Sequence, residues 1–140
     1  MEDNSLLGFI VGVLVVGILL VAVIALTKKG ATQLDVDKYR SKWMTIEGQL
    51  SRDNQSSCTL AVLNADKLLD QALRERGVKG QTMGERMKAA KDTWSSANAV
   101  WGAHKLRNQI AHESDHQVTY DDARRAIAGF KQALKDIGAI

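Results

Sequence analysis

The sequence contains no proline, and only 5% of its 140 residues are aromatic. Strands are rich in aromatic residues, so the shortage of these side chains argues against an all-β domain. The absence of proline argues against a proline-rich linker between domains. A single cysteine, Cys58, excludes an internal disulfide framework. These shortages point away from all-β and disulfide-rich proteins.

Charged side chains are missing from one long stretch near the N-terminus. Residues 6–26 read LLGFIVGVLVVGILLVAVIAL, in which only glycines interrupt the apolar side chains. A helix of this length is roughly 31 Å long, which matches the hydrocarbon thickness of a bilayer. The sequence therefore predicts an acidic tail over residues 1–5 and a transmembrane helix over residues 6–27. Because no second apolar run is comparable, a multi-pass transporter or channel is excluded.

A cleaved signal peptide is the alternative for this N-terminal stretch. Signal peptides have a basic start, a short apolar core and a small-residue cleavage site. Here the first five residues are acidic, and the apolar run is about twice the length of a signal core. Lys28 and Lys29 follow the run directly. We therefore expect an uncleaved single-pass anchor.

The basic pair also predicts the orientation of the anchor. Lys28 and Lys29 flank its C-terminal end, whereas the N-terminal flank has no lysine or arginine. By the positive-inside rule, the N-terminus should lie outside the plasma (inner) membrane and the remaining domain in the cytoplasm. Gly8 and Gly12 have the spacing that lets two membrane helices approach closely, although glycine is also generally common in such helices.

The rest of the chain has the apolar periodicity of helices rather than the alternation of strands. We expect a juxtamembrane linker over residues 28–34 and an antiparallel bundle of four or five helices over residues 35–140. Capping residues and glycines should set the helix ends. The apolar positions recur at spacings of three and four in three stripes: Val36, Tyr39, Trp43, Ile46 and Leu50; Cys58, Ala61, Ala65, Leu68 and Ala72; Ala123, Ile127, Phe130, Leu134 and Ile137.

All three histidines lie between residues 103 and 116, in the only chemically dense segment. Within it, Arg107-Asn108-x-x-x-His112 resembles the signature of the HEPN family, which is an arginine, a polar residue and a histidine near the end of a core helix. The apolar residues that frame the motif over 106–112 are also similar to that family. So is the segment 68–73 on an earlier predicted helix. The resemblance extends over the whole predicted bundle.

This resemblance implies a metal-independent endoribonuclease without a cofactor. In that hypothesis His112 is the general acid or base, Arg107 stabilises charge on the phosphate, and Asn108 positions them. Residues five positions apart lie about 140° apart around a helix, so the pair converges only if the helix ends near His112 or a partner subunit contributes. A homodimer would supply both an acid and a base. The remaining candidates for contact with RNA are His104, Arg124 and Arg125.

A non-catalytic, membrane-tethered binding or scaffold module is the alternative. The net charge of +3 suits RNA or an anionic lipid surface, but a solvated surface of mixed charge explains it equally well. An unidentified regulatory protein is a further possible partner. In an enzyme Arg107 and His112 should be accessible and face a second copy of the chain. In a module they would be buried and satisfied within one chain.

A second motif, His112-Glu113-x-x-His116, matches the letters of a zinc peptidase. Its context argues against that chemistry, since Ser114 and Asp115 are poor residues for a helix interior and the helix should stop here. A third ligand at a suitable distance is also missing from the sequence. We therefore expect no metal site, and the zinc peptidase remains a minor alternative.

Overall fold

The computed structural model describes residues 3–27 and 32–140, and every regular element in these ranges is a helix. The chain divides into two compact units, Met1–Thr32 and Gln33–Ile140, and each is described by itself. The described helices are α1 (Asp3–Thr27), α2 (Val36–Gly48), α3 (Gln55–Glu75), α4 (Met83–Ala89), α5 (Ala97–His112) and α6 (Tyr120–Asp136).

The first unit is a single apolar helix. Residues Ser5–Ala25 of α1 have a mean hydropathy of 3.2, and this stretch is long and apolar enough to cross a membrane. Helix α1 begins at Asp3, so the helix extends into the segment that the sequence predicted as a tail. Lys28 and Lys29, which predict the orientation, lie outside the described residues, as does the linker up to residue 31.

The second unit is a bundle of five helices, in agreement with the helical periodicity of the sequence. Side chains cap several of the helices as their sequences indicate. The Thr82 hydroxyl accepts a hydrogen bond from the backbone N–H of Glu85, and Thr119 does the same for Asp122. Ser96 precedes α5 but makes no capping bond with its side chain.

Two glycines end helices in the left-handed conformation. Gly77 follows α3 with φ +78°, and Gly138 follows α6 with φ +70°. In each case the next backbone N–H reaches back to a carbonyl of the last helical turn, from Val78 to Leu73 and from Ala139 to Leu134. Both helices therefore end in Schellman-type caps, which a side chain with a Cβ would strain.

Helix α3 lies at the centre of the core, and α6 packs against both α3 and α5. Helices α5 and α6 approach each other very closely at Gly129, where a Cβ would lie 2.7 Å from the carbonyl oxygen of Ala99. This contact fixes α5, which carries most of the candidate site residues. The largest fully buried side chains are Tyr39, Phe130, Leu69, Leu73, Met87 and Leu134.

Candidate functional site

Helices α3, α4 and α5 enclose a groove of about 870 Å³ on the surface of the bundle. Three of the predicted site residues, His104, Arg107 and Asn108, lie in its wall. Helix α3 contributes the opposite wall. The other charged and polar side chains of the lining are Asn64, Asp66, Lys67, Asp70, Arg74, Gln81, Thr82 and Arg86.

Asp66 is the residue around which the α5 side of the groove is organised. Its carboxylate is buried and accepts a hydrogen bond of 2.7 Å from His104 Nδ1. The other carboxylate oxygen lies 3.3 Å from Arg107 Nε. Residues three apart lie on the same face of a helix, so one acid on α3 can hold both side chains of α5. The buried charge of Asp66 is thereby compensated by the Arg107 guanidinium and by the hydrogen bond from His104.

His104 is held in one orientation by this contact. A carboxylate only accepts hydrogen bonds, so the proton lies on Nδ1 and the Nε2 atom is directed elsewhere. His104 is only 8% exposed, yet it lines the groove. A Cβ built on Gly84 of α4 would lie 3.9 Å from Nε2, so the absence of a side chain at Gly84 keeps this atom uncovered. Among the described residues, Nε2 has no hydrogen-bonding partner.

Arg107 lies at the rim of the groove, with 37% of its side chain exposed. Its Nη1 atom donates a hydrogen bond of 3.1 Å to the side-chain oxygen of Asn108. Together with the contact from Nε to Asp66, this leaves Nη2 without a partner among the described residues. The guanidinium is therefore held through Nε and Nη1, and Nη2 is available to donate to a phosphate oxygen.

A second ionic cluster closes the other side of the groove. Arg86 of α4 is buried, and its Nε and Nη2 atoms lie 2.7 and 2.6 Å from the same Asp70 oxygen. Its Nη1 atom donates to the carbonyl oxygen of Gly80, and Arg74 also pairs with Asp70 at 2.9 Å. Gly80 has φ +154°, and a Cβ there would lie 2.7 Å from the backbone nitrogen of Arg86. This cluster ties the short helix α4 to α3.

His112, Arg124 and Arg125 lie outside the lining of the groove. His112 is the last residue of α5 and is exposed, and no hydrogen bond or ion pair joins it to Arg107 in the described ranges. Arg124 and Arg125 are exposed on α6, and Arg125 pairs with Asp122 at 2.6 Å. Within one chain the structure therefore groups Arg107 and Asn108 with His104 rather than with His112.

The His112-Glu113-x-x-His116 motif does not lie on a helix. Helix α5 ends at His112, and Glu113 already has an extended backbone. His116 Nδ1 lies 3.3 Å from a Glu113 carboxylate oxygen, so these two residues contact each other. Over residues 3–27 and 32–140, no group of three acidic, histidine or cysteine side chains is arranged to hold a metal ion.

Sequence reasoning missed Asp66, Asp70 and Arg86, which organise the groove. The sequence contained one signal for Asp66, because this residue directly follows Ala65 of an apolar stripe. In the structure both residues are buried. A charged residue is almost never fully buried without a partner. The sequence alone does not reveal which residue of α5 supplies that partner.

The chain was also compared with known proteins. No protein-family model matches it, and neither a curated protein nor a solved structure matches it at a significant level.

Proposed function

We propose that the protein is a membrane-anchored, metal-independent endoribonuclease of the HEPN type, with an antiparallel HEPN-like bundle in the cytoplasm. The observation that carries the proposal is that α5 ends at His112 while Arg107 and Asn108 lie one turn earlier at a solvent-accessible surface. Because no contact joins Arg107 to His112 within the described ranges of one chain, a common site would need the His112 of a second copy beside Arg107. Both side chains are accessible to a substrate or to a second copy of the chain.

The chemistry requires two proton transfers at one phosphodiester. A base takes the proton of the ribose 2′-hydroxyl, the 2′-oxygen attacks phosphorus, and an acid protonates the departing 5′-oxygen. In a homodimer, His112 of one copy would act as the base and the partner's His112 as the acid. Arg107 would stabilise the charge that develops on the phosphate oxygens, and Asn108 would hold the guanidinium through their hydrogen bond.

A non-catalytic binding module is the second candidate, and one observation favours it. Arg107 forms an ion pair with Asp66 within one chain, so part of its charge is already compensated before any substrate arrives. In that function the groove would hold a ligand or partner without breaking a bond. The two candidates share the anchor and the bundle and differ in whether His112 is needed.

The test is cleavage of a fluorescent single-stranded RNA by the full chain in lipid nanodiscs. We expect cleavage that continues in the presence of a chelator and yields a 2′,3′-cyclic phosphate end. His112→Ala should reduce the rate by about a hundredfold or more, since removing general acid or base catalysis costs on the order of 10² to 10⁴ in rate.

His116→Ala is the matched comparison, because it removes a histidine four residues further on. Activity that survives in His116→Ala and is lost in His112→Ala supports the HEPN mechanism. Loss in both variants together with inhibition by a chelator would instead support the zinc peptidase motif as a metal site. Binding of RNA without cleavage by a folded, dimeric protein would support the module.

A further inference from the structure

Four segments of the second unit meet at one end of the bundle. The start of α2 lies beside the end of α3, since Lys38 pairs with Glu75 at 3.0 Å. The ends of α3 and α6 are adjacent, because a Cβ on Gly138 would lie 3.9 Å from Arg76 Nη1. The turn before α5 donates a hydrogen bond to the last residue of α6, and it receives the end of α4 through a further bond. We call this part of the molecule the basic end, and it comprises residues 33–40, 74–80, 88–96 and 135–140.

The opposite end of the bundle has the opposite charge. It is formed by the loops that join α2 to α3 and α5 to α6, which are adjacent because the Arg52 guanidinium lies 4.3 Å from the centre of the Tyr120 ring. Residues 49–54 and 112–125 carry three basic and five acidic side chains, whereas the basic end carries eight basic and five acidic ones. The side chains therefore give the bundle a positive end and a negative end.

The positive charge of the basic end is available to a partner, whereas part of its negative charge is already engaged. Glu75 accepts a hydrogen bond of 3.0 Å from Lys38, and Asp136 accepts bonds of 2.9 and 3.0 Å from Ser95. Six basic side chains of this end are at least partly exposed and form no ion pair with any residue that the structure describes: Arg40, Arg76, Lys79, Lys88, Lys91 and Lys135.

We propose that the basic end docks on the anionic lipid headgroups of the membrane surface. The proposal rests on the membrane anchor of the proposed function, but it requires no cleavage. The chain enters the bundle at the basic end, where α2 begins at Val36. Eight residues separate Thr27 from Val36, and they span at most about 28 Å even when fully extended. Such a short tether keeps the basic end at a high effective concentration beside the bilayer.

The magnitudes favour lipid over a soluble anionic partner. Each lysine or arginine near an anionic lipid surface contributes about 1 kcal/mol, so several such side chains on a tethered body are sufficient for docking. A soluble RNA is attracted by the same charges, but it must be collected at its free concentration without the help of a tether. The acidic opposite end is repelled by the same lipids. Docking would therefore leave the exposed His112 in water, where RNA and a second copy of the chain can reach it.

The docking is electrostatic rather than an insertion into the lipid. Among the described residues of the bundle, the exposed large apolar side chains are Met44, Leu60 and Trp101, and none of them belongs to the basic end. An interfacial helix that enters the bilayer needs an apolar face, which this surface lacks. We therefore expect docking to depend on the lipid charge and to weaken as salt is added.

The experiment measures the distance from each end of the bundle to the lipid. The full chain is placed in nanodiscs of phosphatidylcholine, alone or with about one-third phosphatidylglycerol, that carry an energy acceptor on a lipid headgroup. A donor dye is attached through Thr93→Cys at the basic end or through Ser114→Cys at the opposite end, both at exposed positions. Cys58 is only 1% exposed and should not react with the dye.

Anionic lipid should bring the basic end closer to the bilayer. We expect phosphatidylglycerol to raise energy transfer from the dye at Thr93→Cys by about twofold, and not to raise transfer from the dye at Ser114→Cys. About 1 M salt should abolish the rise, because it shortens the Debye length to about 3 Å. Changing three exposed lysines of the basic end to glutamine together, Lys79, Lys91 and Lys135, should abolish it as well.

A matched variant removes three positive charges outside the basic end. Arg52→Gln, Lys105→Gln and Arg124→Gln together change exposed side chains and give the same net charge as the lysine variant. The rise in energy transfer should persist in this control. Loss of the rise in both variants would show attraction through net charge alone and would overturn the assignment to the basic end.

Further outcomes separate this inference from the proposed function. Equal energy transfer with and without phosphatidylglycerol refutes the docking surface, even if RNA is cleaved. Docking without RNA cleavage leaves the inference standing and counts against the nuclease alone. A chain that does not enter nanodiscs refutes the anchor and the docking together. If an acceptor on RNA takes more energy from the dye at Thr93→Cys than the acceptor on lipid, the basic end is an RNA surface and the lipid assignment is wrong.

Discussion

His104 and His112 lie eight residues apart on the same helix, but their surroundings differ completely. His104 is buried against Asp66 and lines the groove, whereas His112 is exposed at the end of α5. The difference comes from α3, which places a carboxylate opposite one end of the segment. The surroundings of each histidine therefore depend on whether α3 places a carboxylate beside it. Of the two, only His112 is exposed enough to contact a second copy of the chain.

The largest expected effect comes from removing the shared carboxylate on the buried side. Asp66→Ala leaves His104 and Arg107 without their partner, and we expect a loss of about 3 kcal/mol in the free energy of unfolding. Asp115→Ala is the matched control at the exposed end, where the change should stay within about 0.5 kcal/mol. Denaturant unfolding of the two variants measures both values. Equal effects would mean that Asp66 contributes no more than a surface acid.

The Arg86 cluster extends this comparison to the wall formed by α4. Arg86→Met keeps the length of the side chain but leaves the Asp70 carboxylate and the Gly80 carbonyl with fewer donors. We expect a loss of about 2 kcal/mol, measured by denaturant unfolding. Arg125→Met removes an exposed pair with Asp122 and should cost less than about 1 kcal/mol. A smaller loss for Arg86 than for Arg125 would contradict the structural role of the cluster.

Acid pH should destabilise the fold through two carboxylates that lie outside the groove, Glu75 and Asp122. A hydrogen bond from Lys38 lowers the pKa of Glu75, and a hydrogen bond from Thr119 lowers the pKa of Asp122. A carboxylate with a lowered pKa stabilises the fold above its ordinary value of about 4, and this contribution is lost as the pH falls through the lowered value. The thermal midpoint should therefore fall as the pH drops from about 4, where these carboxylates gain protons in the unfolded chain, through the lowered pKa values of the folded chain.

Glu75→Gln provides the control for this pH dependence. It removes one of the titrating groups, so the fall in the thermal midpoint on acidification should be shallower than in the unaltered chain. An identical fall would show that Glu75 has no part in it.

The smallest expected effect is a gain in stability at Gly84. Gly84→Ala places a methyl group 3.9 Å from His104 Nε2, which is an ordinary van der Waals contact. Alanine favours the helical conformation, so we expect a gain of about 0.5 kcal/mol in the free energy of unfolding. The same methyl group partly covers Nε2, and denaturant unfolding of the variant measures the change in stability. A loss of stability would mean that α4 cannot accommodate the methyl group.

The sequence predicted the helices well because their signals are local. Thr82 and Thr119 cap the helices that they precede, and Gly77 and Gly138 follow the helix ends. The periodic stripes of apolar residues correctly indicated which faces are buried. Asp35 and Asn54 also cap helices by accepting hydrogen bonds from Lys38 and Ser57, through the same short-range geometry.

The groove was only partly predictable because its contacts are long-range. Arg107 and Asn108 were identified from a motif, and both lie in its wall. The contact between His104 and Asp66 joins residues 38 apart in the sequence, and periodicity within each helix does not fix the register between helices. The sequence predicted His104 as a contact with RNA, and the structure places its buried side chain in the wall of the groove.

The packing of α6 has a consequence for the order of events during synthesis. Helix α6 covers both α3 and α5, so the core cannot close until residues up to 136 have left the ribosome. The apolar helix α1 emerges more than a hundred residues earlier. As the anchor of the proposed function, α1 would reach the bilayer while the helices that form the groove are still incomplete. Folding of the bundle would then begin on a nascent chain that is already tethered.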